Sequence, residues 1–328
     1  MHRRRLDLER VMEAPIFRMY REGDEVAINN VFEKASGSVR SLDEWAWLYP
    51  SEVDGRVIVV AETGGEVVAH CAGIPFRVAV DGRELAAVRI AELISPMAAE
   101  EIVEQAAETF YKNFASSGRF PLVVACPQIR GDLNLPGFDG TPRRELAALT
   151  RNRAPRSKTR RLFYRAEPAR DWEPRLDDLW RRVRGDYPVA VVRDAEGALR
   201  RFAGHPTVRY QRFVIFPRFS SQAVAFVVFR CDGGRCRWVD LLWDHAHPGA
   251  LELAAHISAR LARQFHCTGE ELWLAGDAEA RSRLERLGFR AAEGPAAVSM
   301  AVRSFDPELD ATQVAERLYL TMADTDRV

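Results

Sequence analysis

Apolar positions along this chain follow two periods, and the changes between them mark out the elements. Residues 16–20 read as a short strand. "REGDEVAINNVFEKAS" then places Val26, Ile28, Val31 and Phe32 on one face of a helix, with Asp24 as its expected cap. "RVIVVAETGGEVVAHCAGIPFRVAVDGRELAAVRIAELIS" predicts three strands joined at "TGGE" and "VDGR", both strong signals for two-residue hairpin turns. A helix follows in "PMAAEEIVEQAAETFYKNFASSG", where Ser95 and Pro96 suit the start and Gly118 the end. The continuous apolar run of "RFPLVVACPQ" predicts a buried strand.

The same order returns further along. "QAVAFVVFRCDGGRCRWVDLLWD" reads as a hairpin, "PGALELAAHISARLARQFHCTG" as a helix, "ELWLAG" as a strand, "DAEARSRLERLGF" as a helix and "AAVSMAVRSF" as a last strand. Repetition of the pattern, without repetition of residues, predicts two mixed α/β domains, each a mostly antiparallel sheet with helices on both faces. The arginine-dense stretch 141–165 reads as a surface crossover between them. The expected division is 1–145, a linker at 146–168, 169–305, and a tail at 306–328. Val314, Leu318 and Leu320 give the tail an apolar face with which to pack back on a domain.

Composition narrows the possibilities. The 328 residues carry 47 basic and 47 acidic side chains, a formal net charge of zero, so no long-range field attracts a polyanion. The 44 arginines against three lysines lack the aromatic interleaving of a nucleic-acid groove, and no nucleic acid is expected as partner. No run of ~18 uncharged apolar residues exists to span a membrane. The start, "MHRRRLDLERVMEAP", has no apolar core of a secretory signal. With five scattered cysteines, a reduced, cytoplasmic protein is the expectation. Cys231 and Cys236 flank "DGGR" and face each other if that segment forms a hairpin turn, which would let them couple on oxidation.

"FRMYREGDEVAINNVFEKA" and "VIVVAETGGEVVAHCAGIPFRV" resemble the opening strands and helix of the GCN5-related N-acetyltransferase (GNAT) superfamily. "ARSRLERLGFRAAEGPAAVSMAVR" is similar to its closing helix and strand. "SLDEWAWLYP" and "LRRFAGHPTVRY" resemble a bacterial subgroup with two GNAT domains in tandem. The resemblance implies acyl-CoA, usually acetyl-CoA, as co-substrate and N-acyl transfer to a small-molecule amine. It also implies a fourth strand that splays from the fifth, leaving backbone groups for the pantetheine. A glycine-rich loop would hold the pyrophosphate at a helix start.

That loop is missing from both halves. "SPMAAEEIVEQ" has no glycine and sets Glu100 and Glu101 where a pyrophosphate would lie, and "WDHAHPGALELAAH" has only Gly249. Two readings therefore stay open: an N-acyltransferase, or a catalytically degenerate pair that binds a ligand or protein. For the first, the resemblance places acyl-CoA beside Leu93, Ile94, Ser95, Met97, Ala98 and Cys126. Glu92 stands at the strand position of the general base; otherwise it is a sheet-face carboxylate paired with an arginine. In the first case Glu92→Gln is expected to abolish transfer while leaving the melting temperature nearly unchanged. Cys126 is a nucleophile or a small buried residue. Asp244, His245 and His247 read as a cap and exposed imidazoles rather than metal ligands, and His70 and His205 as structural.

Overall fold

The computed structural model describes residues 14–51, 55–96, 100–126, 135–152, 160–292 and 298–325. In the N-terminal half, β1 (Ile16–Met19) pairs antiparallel with β2 (Ile58–Thr63), which leads into β3 (Glu66–Val80) and β4 (Arg83–Ile94). Both predicted hairpin turns are present. Asp81 and Gly82 have φ of 51° and 82°, a left-handed pair that "VDGR" allows because aspartate and glycine tolerate it. Helices α1 (Asp24–Ser36) and α2 (Leu42–Leu48) cover one face of this sheet, and α3 (Glu100–Phe110) covers the other. Strand alternation does the sorting. Val59 and Cys71 pack against α3, while Val60 and Ala72 pack against Ile28, Trp45 and Tyr49. Gly23, not Asp24, sits at the cap of α1; Asp24 is its first residue and accepts from the Arg21 N–H and from Arg18.

β5 (Leu122–Ala125) runs parallel to β4, and β6 (Arg143–Arg151) follows. The expected crossover thus begins with a strand: "RRELAALTR" is paired along its length, Leu146 and Leu149 are fully buried, and its arginines lie at the ends. Residues 153–159 of the expected linker lie outside the described residues. The C-terminal half continues with β7 (Tyr164–Pro168), α4 (Arg175–Val183), β8 (Val189–Val191), α5 (Ala195–Ala198), β9 (Gln211–Pro217), β10 (Ala225–Asp232) and β11 (Arg235–Trp243). Then come α6 (Pro248–Gln264), β12 (Gly269–Ala275), α7 (Ala278–Arg286), β13 (Arg290–Ala291), β14 (Val298–Ser304), α8 (Ala311–Arg317) and β15 (Leu318–Thr321).

The pairings cross between the halves. β14, near the C-terminal end, lies antiparallel between β5 and β6, whereas β6 pairs with β12 through residues 147–151. A strand from each half thus completes the sheet of the other, unlike the consecutive layout expected from the sequence. β15 pairs with β12 and with β8, and β8 pairs with β3. Strands β3, β8, β15, β12, β6, β14, β5 and β4 therefore close on themselves. Each contributes at least one side chain to a single apolar core, among them Val78, Val189, Leu320, Trp273, Leu146, Met300, Val124 and Ala87. Val314 and Ala315 of α8 join the same core. The tail is thus a structural member of the ring.

Candidate functional site

On β4 the pairing with β3 slips by one residue: Gly73 opposes Ile90, but Ala72 opposes Glu92, so Ala91 is the extra residue of a bulge. Glycine is required at 73. A Cβ there would lie 2.5 Å from Val88 Cγ2 and 2.7 Å from the Phe110 ring. The parallel pairing of β4 with β5 ends at Ile90–Ala125, immediately before the bulge. Beyond it, Leu93, Ile94 and Ser95 have no strand partner on the β5 side among the described residues, and half-buried Cys126 follows the end of β5. The residues that would continue β5 opposite them, 127–134, lie outside the described residues. The Ser95 hydroxyl is buried there without a hydrogen-bond partner among the described residues. Met97 and Ala98 lie outside the described residues. Glu100 and Glu101 occupy the first described turn of α3 and are exposed.

The C-terminal half repeats this local geometry. β10 and β11 slip between Val228–Asp240 and Phe229–Trp238, which makes Val239 the bulge residue and Asp240 the counterpart of Glu92. Parallel pairing with β12 again ends one residue before the bulge, at Trp238–Leu272. Here, however, the gap is filled by the chain itself. Leu320 and Thr321 of β15 pair with Ala275 and Leu274, the Tyr319 hydroxyl donates to the Leu241 carbonyl, and Thr321 Oγ1 is 2.8 Å from Asp240 Oδ1. Asp240 and Asp324 flank buried Arg193 at 3.0 and 2.6 Å. The tail so takes the place that an added ligand strand would take.

Glu92 is where the sequence put it, but its carboxylate is enclosed. Oε1 accepts from Arg40 Nη1 at 2.7 Å, Oε2 lies 2.8 Å from His70 Nε2, and the side chain is fully buried. Arg40, between α1 and α2, is itself held by Asn29 and stacks on the Phe32 ring. A carboxylate can only accept, so Nε2 of His70 carries the proton, and in the neutral ring Nδ1 keeps the lone pair. That Nδ1 is buried with no partner among the described residues. Sequence reasoning treated His70 as structural; its register opposite Ile94, beyond the bulge of β4, is what brings it to the site. Asp240 was also missed, although "RIAE" and "RWVD" share an acidic residue in an apolar stretch three positions after an arginine.

On the other side of the bulge a cleft of about 380 Å³ opens between the halves. Its lining is mostly apolar: Ile74, Phe76 and Val78 of β3, Leu122 and Val124 of β5, Trp47 of α2, and Leu318 and Leu320 of the tail. Arg89 reaches across it to the Asp324 carbonyl at 2.8 Å. Trp47 closes one wall by donating to the Arg200 carbonyl and packing on His205, with ring centroids 4.1 Å apart. His205 in turn accepts from the Val208 N–H at 3.0 Å. Elsewhere, His245 lies against Asp277, which caps α7 through the Ala280 N–H; this contact raises the histidine above its ordinary pKa against the opposing effect of burial. Among the described residues no group of three or more histidine, cysteine or acidic side chains is arranged to hold a metal ion. No described helix is long and apolar enough to cross a membrane.

No family model and no curated protein sequence matches this chain. Solved structures do. A probable N-acyltransferase of unknown function from Enterococcus faecalis aligns over 89 % of this chain and 73 % of its own, with a TM-score of 0.65 and 10 % identity. A GCN5-related N-acetyltransferase from Kribbella flavida aligns over 90 % and 72 %, with a TM-score of 0.65 and 14 % identity. Another from Anabaena variabilis aligns over 89 % and 73 %, with a TM-score of 0.66 and 10 % identity. The chain has the GNAT fold, a mixed α/β architecture. At such identities the likeness defines the fold, and function has to be argued from the site.

Proposed function

We propose that the protein is an acyl-CoA-dependent N-acyltransferase built from two GNAT units, with one acyl-CoA cleft per chain. The observation that carries this reading is that the described β4–β5 pairing stops at the bulge, while the C-terminal counterpart is filled by β15. Acyl-CoA would lie along Leu93, Ile94 and Ser95 next to Cys126, its amides pairing with the backbone of β4 as an added strand would. When bound it supplies a thioester carbonyl open to attack by an amine. The acceptor, a small amine on an apolar body, would reach that carbonyl from the cleft on the opposite side of the bulge, whose lining suits it. Holding both at the bulge removes most of the entropic cost of the bimolecular step.

The chain's own part is to accept the amine proton. Enclosed between Arg40 and His70, Glu92 is a positioning residue in this scheme: it fixes the His70 tautomer, and Nδ1 takes the proton directly or through one water. A second reading, ligand binding without catalysis, is favoured by the burial of this same dyad. Release of free CoA from acetyl-CoA in the presence of a panel of alkylamines separates the two. Steady turnover supports the transferase, and its absence with every amine while acetyl-CoA still binds supports the second reading.

Binding itself is expected to be weak. With Glu100 and Glu101 exposed at the start of α3, the pyrophosphate meets like charge. Titration calorimetry with acetyl-CoA should give a Kd above roughly 100 µM, about 5.5 kcal/mol or less. A low-micromolar value would mean that other groups replace the missing loop.

A further inference from the structure

Three of the five cysteines converge at the far end of the β10–β11 hairpin, outside both the cleft and the end of β4. Gly233 and Gly234 have φ of 51° and 76°, the two left-handed positions of a type I′ turn, and the register sets Asp232 opposite Arg235 and Cys231 opposite Cys236. In such a hairpin the pair flanking the turn exchanges hydrogen bonds, so Cys231 and Cys236 form the next, non-hydrogen-bonded pair. Its Cα separation of about 4.5 Å falls within the roughly 4.4–6.8 Å that a disulfide needs. Cys267, on the loop after α6, is fixed beside them. Its N–H donates to the Ala262 carbonyl at 2.7 Å, and Thr268 donates from both N–H and hydroxyl to the Gly234 carbonyl at 2.7 and 3.1 Å. The three thiols lie close enough together for each to shift the protonation of the others.

We propose that Cys231, Cys236 and Cys267 form a reversible thiol-oxidation site in which Cys231 reacts with a hydroperoxide and either neighbour resolves it to a disulfide. The Cys231 sulfur attacks one peroxide oxygen, the O–O bond breaks, and a sulfenic acid forms with loss of water (or of an alcohol from an organic peroxide). The sulfur of Cys236 or Cys267 then attacks the sulfenic sulfur, the S–O bond breaks, and a water leaves as the S–S bond forms. Two thiols supply the two electrons that reduce one peroxide. The division of labour follows from exposure: Cys231 and Cys267 are half-buried, whereas Cys236 is buried and shielded from direct attack. Cys231 is both accessible and directly opposite Cys236 in the hairpin, which makes it the attacking sulfur; the neighbouring Cys236 thiol also holds it below the usual thiol range, while burial pushes Cys267 up.

The sequence allows a direct test, because Arg230, Arg235, Arg237, Arg263 and Arg281 let trypsin place the three cysteines on separate peptides, 231–235, 236–237 and 264–281. The reduced full-length chain is treated with hydrogen peroxide, remaining thiols are alkylated, and the non-reduced digest is read by mass spectrometry. The expected result is peptide 231–235 joined to 236–237 or to 264–281, with both links lost on adding dithiothreitol. Cys231→Ser should abolish both links, and Cys267→Ser should leave only the first, each in a variant that melts as the parent does. Recovery of Cys231 as an alkylated thiol, or its passage to sulfonic acid without any link, would overturn the proposal. So would a Cys236–Cys267 disulfide as the main product in the unsubstituted chain.

Discussion

Replacing Glu92 by glutamine is expected to destabilise the protein substantially, lowering the melting temperature by roughly 5–10 °C. The reason is the enclosure of the carboxylate. Arg40 has a side chain only 9 % exposed and is bound at 2.7 Å to a fully buried partner, so neutralising Glu92 strands a cation. Breaking one side of a buried ion pair costs about 3–5 kcal/mol, a large share of a typical net stability. This reverses the nearly unchanged melting temperature expected of Glu92 as a general base and agrees with the other reading, a sheet-face carboxylate paired with an arginine. The companion variant tests the cause. Removing both charges in Glu92→Gln/Arg40→Met should recover much of the loss, because a buried pair exchanged for apolar groups is often nearly neutral. Thermal melts of the two variants decide the matter; a single variant that melts within a degree of the parent would mean that the pair contributes little.

A chain ending at residue 309 is expected not to fold. Its missing part includes Leu318, Tyr319, Leu320 and Met322, each no more than 3 % exposed, and the Asp324 partner of Arg193. Burial of those four apolar side chains is worth about 6–12 kcal/mol, similar to the whole net stability of an ordinary domain. The loss also opens the strand ring at β8 and β12. Circular dichroism of the truncated chain should show a disordered or aggregated product, and the single substitution Leu320→Ala should still fold at a cost of about 2–5 kcal/mol. A truncated chain with the parent's melting temperature would show that the tail is peripheral.

What was legible in the sequence was local. "TGGE", "VDGR" and "DGGR" read correctly as hairpin turns because the requirement for left-handed backbone is met within two residues. The strand itself was legible in "VRIAELIS", but not the bulge at Ala91 that sets Glu92 opposite Ala72. The exchange of β6 and β14 between the halves was not legible either. "RRELAALTR" looks like a crossover because its partners, 298–301 and 270–274, come from the other end of the chain, and no local period encodes them. The packing of the tail was legible in Val314, Leu318 and Leu320, but its last strand was not, for a similar reason. "LYLT" is too short to declare itself a strand, and its neighbours β8 and β12 are over 40 residues away. Enclosure of Glu92 rests on Arg40 and on the tautomer of His70, both contributed by distant elements, so a strand pattern gives the carboxylate's place without its environment.

Hydrogen–deuterium exchange of the full chain, with and without acetyl-CoA at millimolar concentration, tests most directly whether the protein has one acyl-CoA cleft and where it lies. Ligand lying along β4 should slow exchange in peptides covering 91–96 and 122–126. It should leave 239–243 and 272–276 unchanged, since the tail already supplies the hydrogen bonds there. Absence of protection at 91–96 under saturating ligand, or protection centred instead on 239–243 with exposure of 318–321, would contradict the assignment.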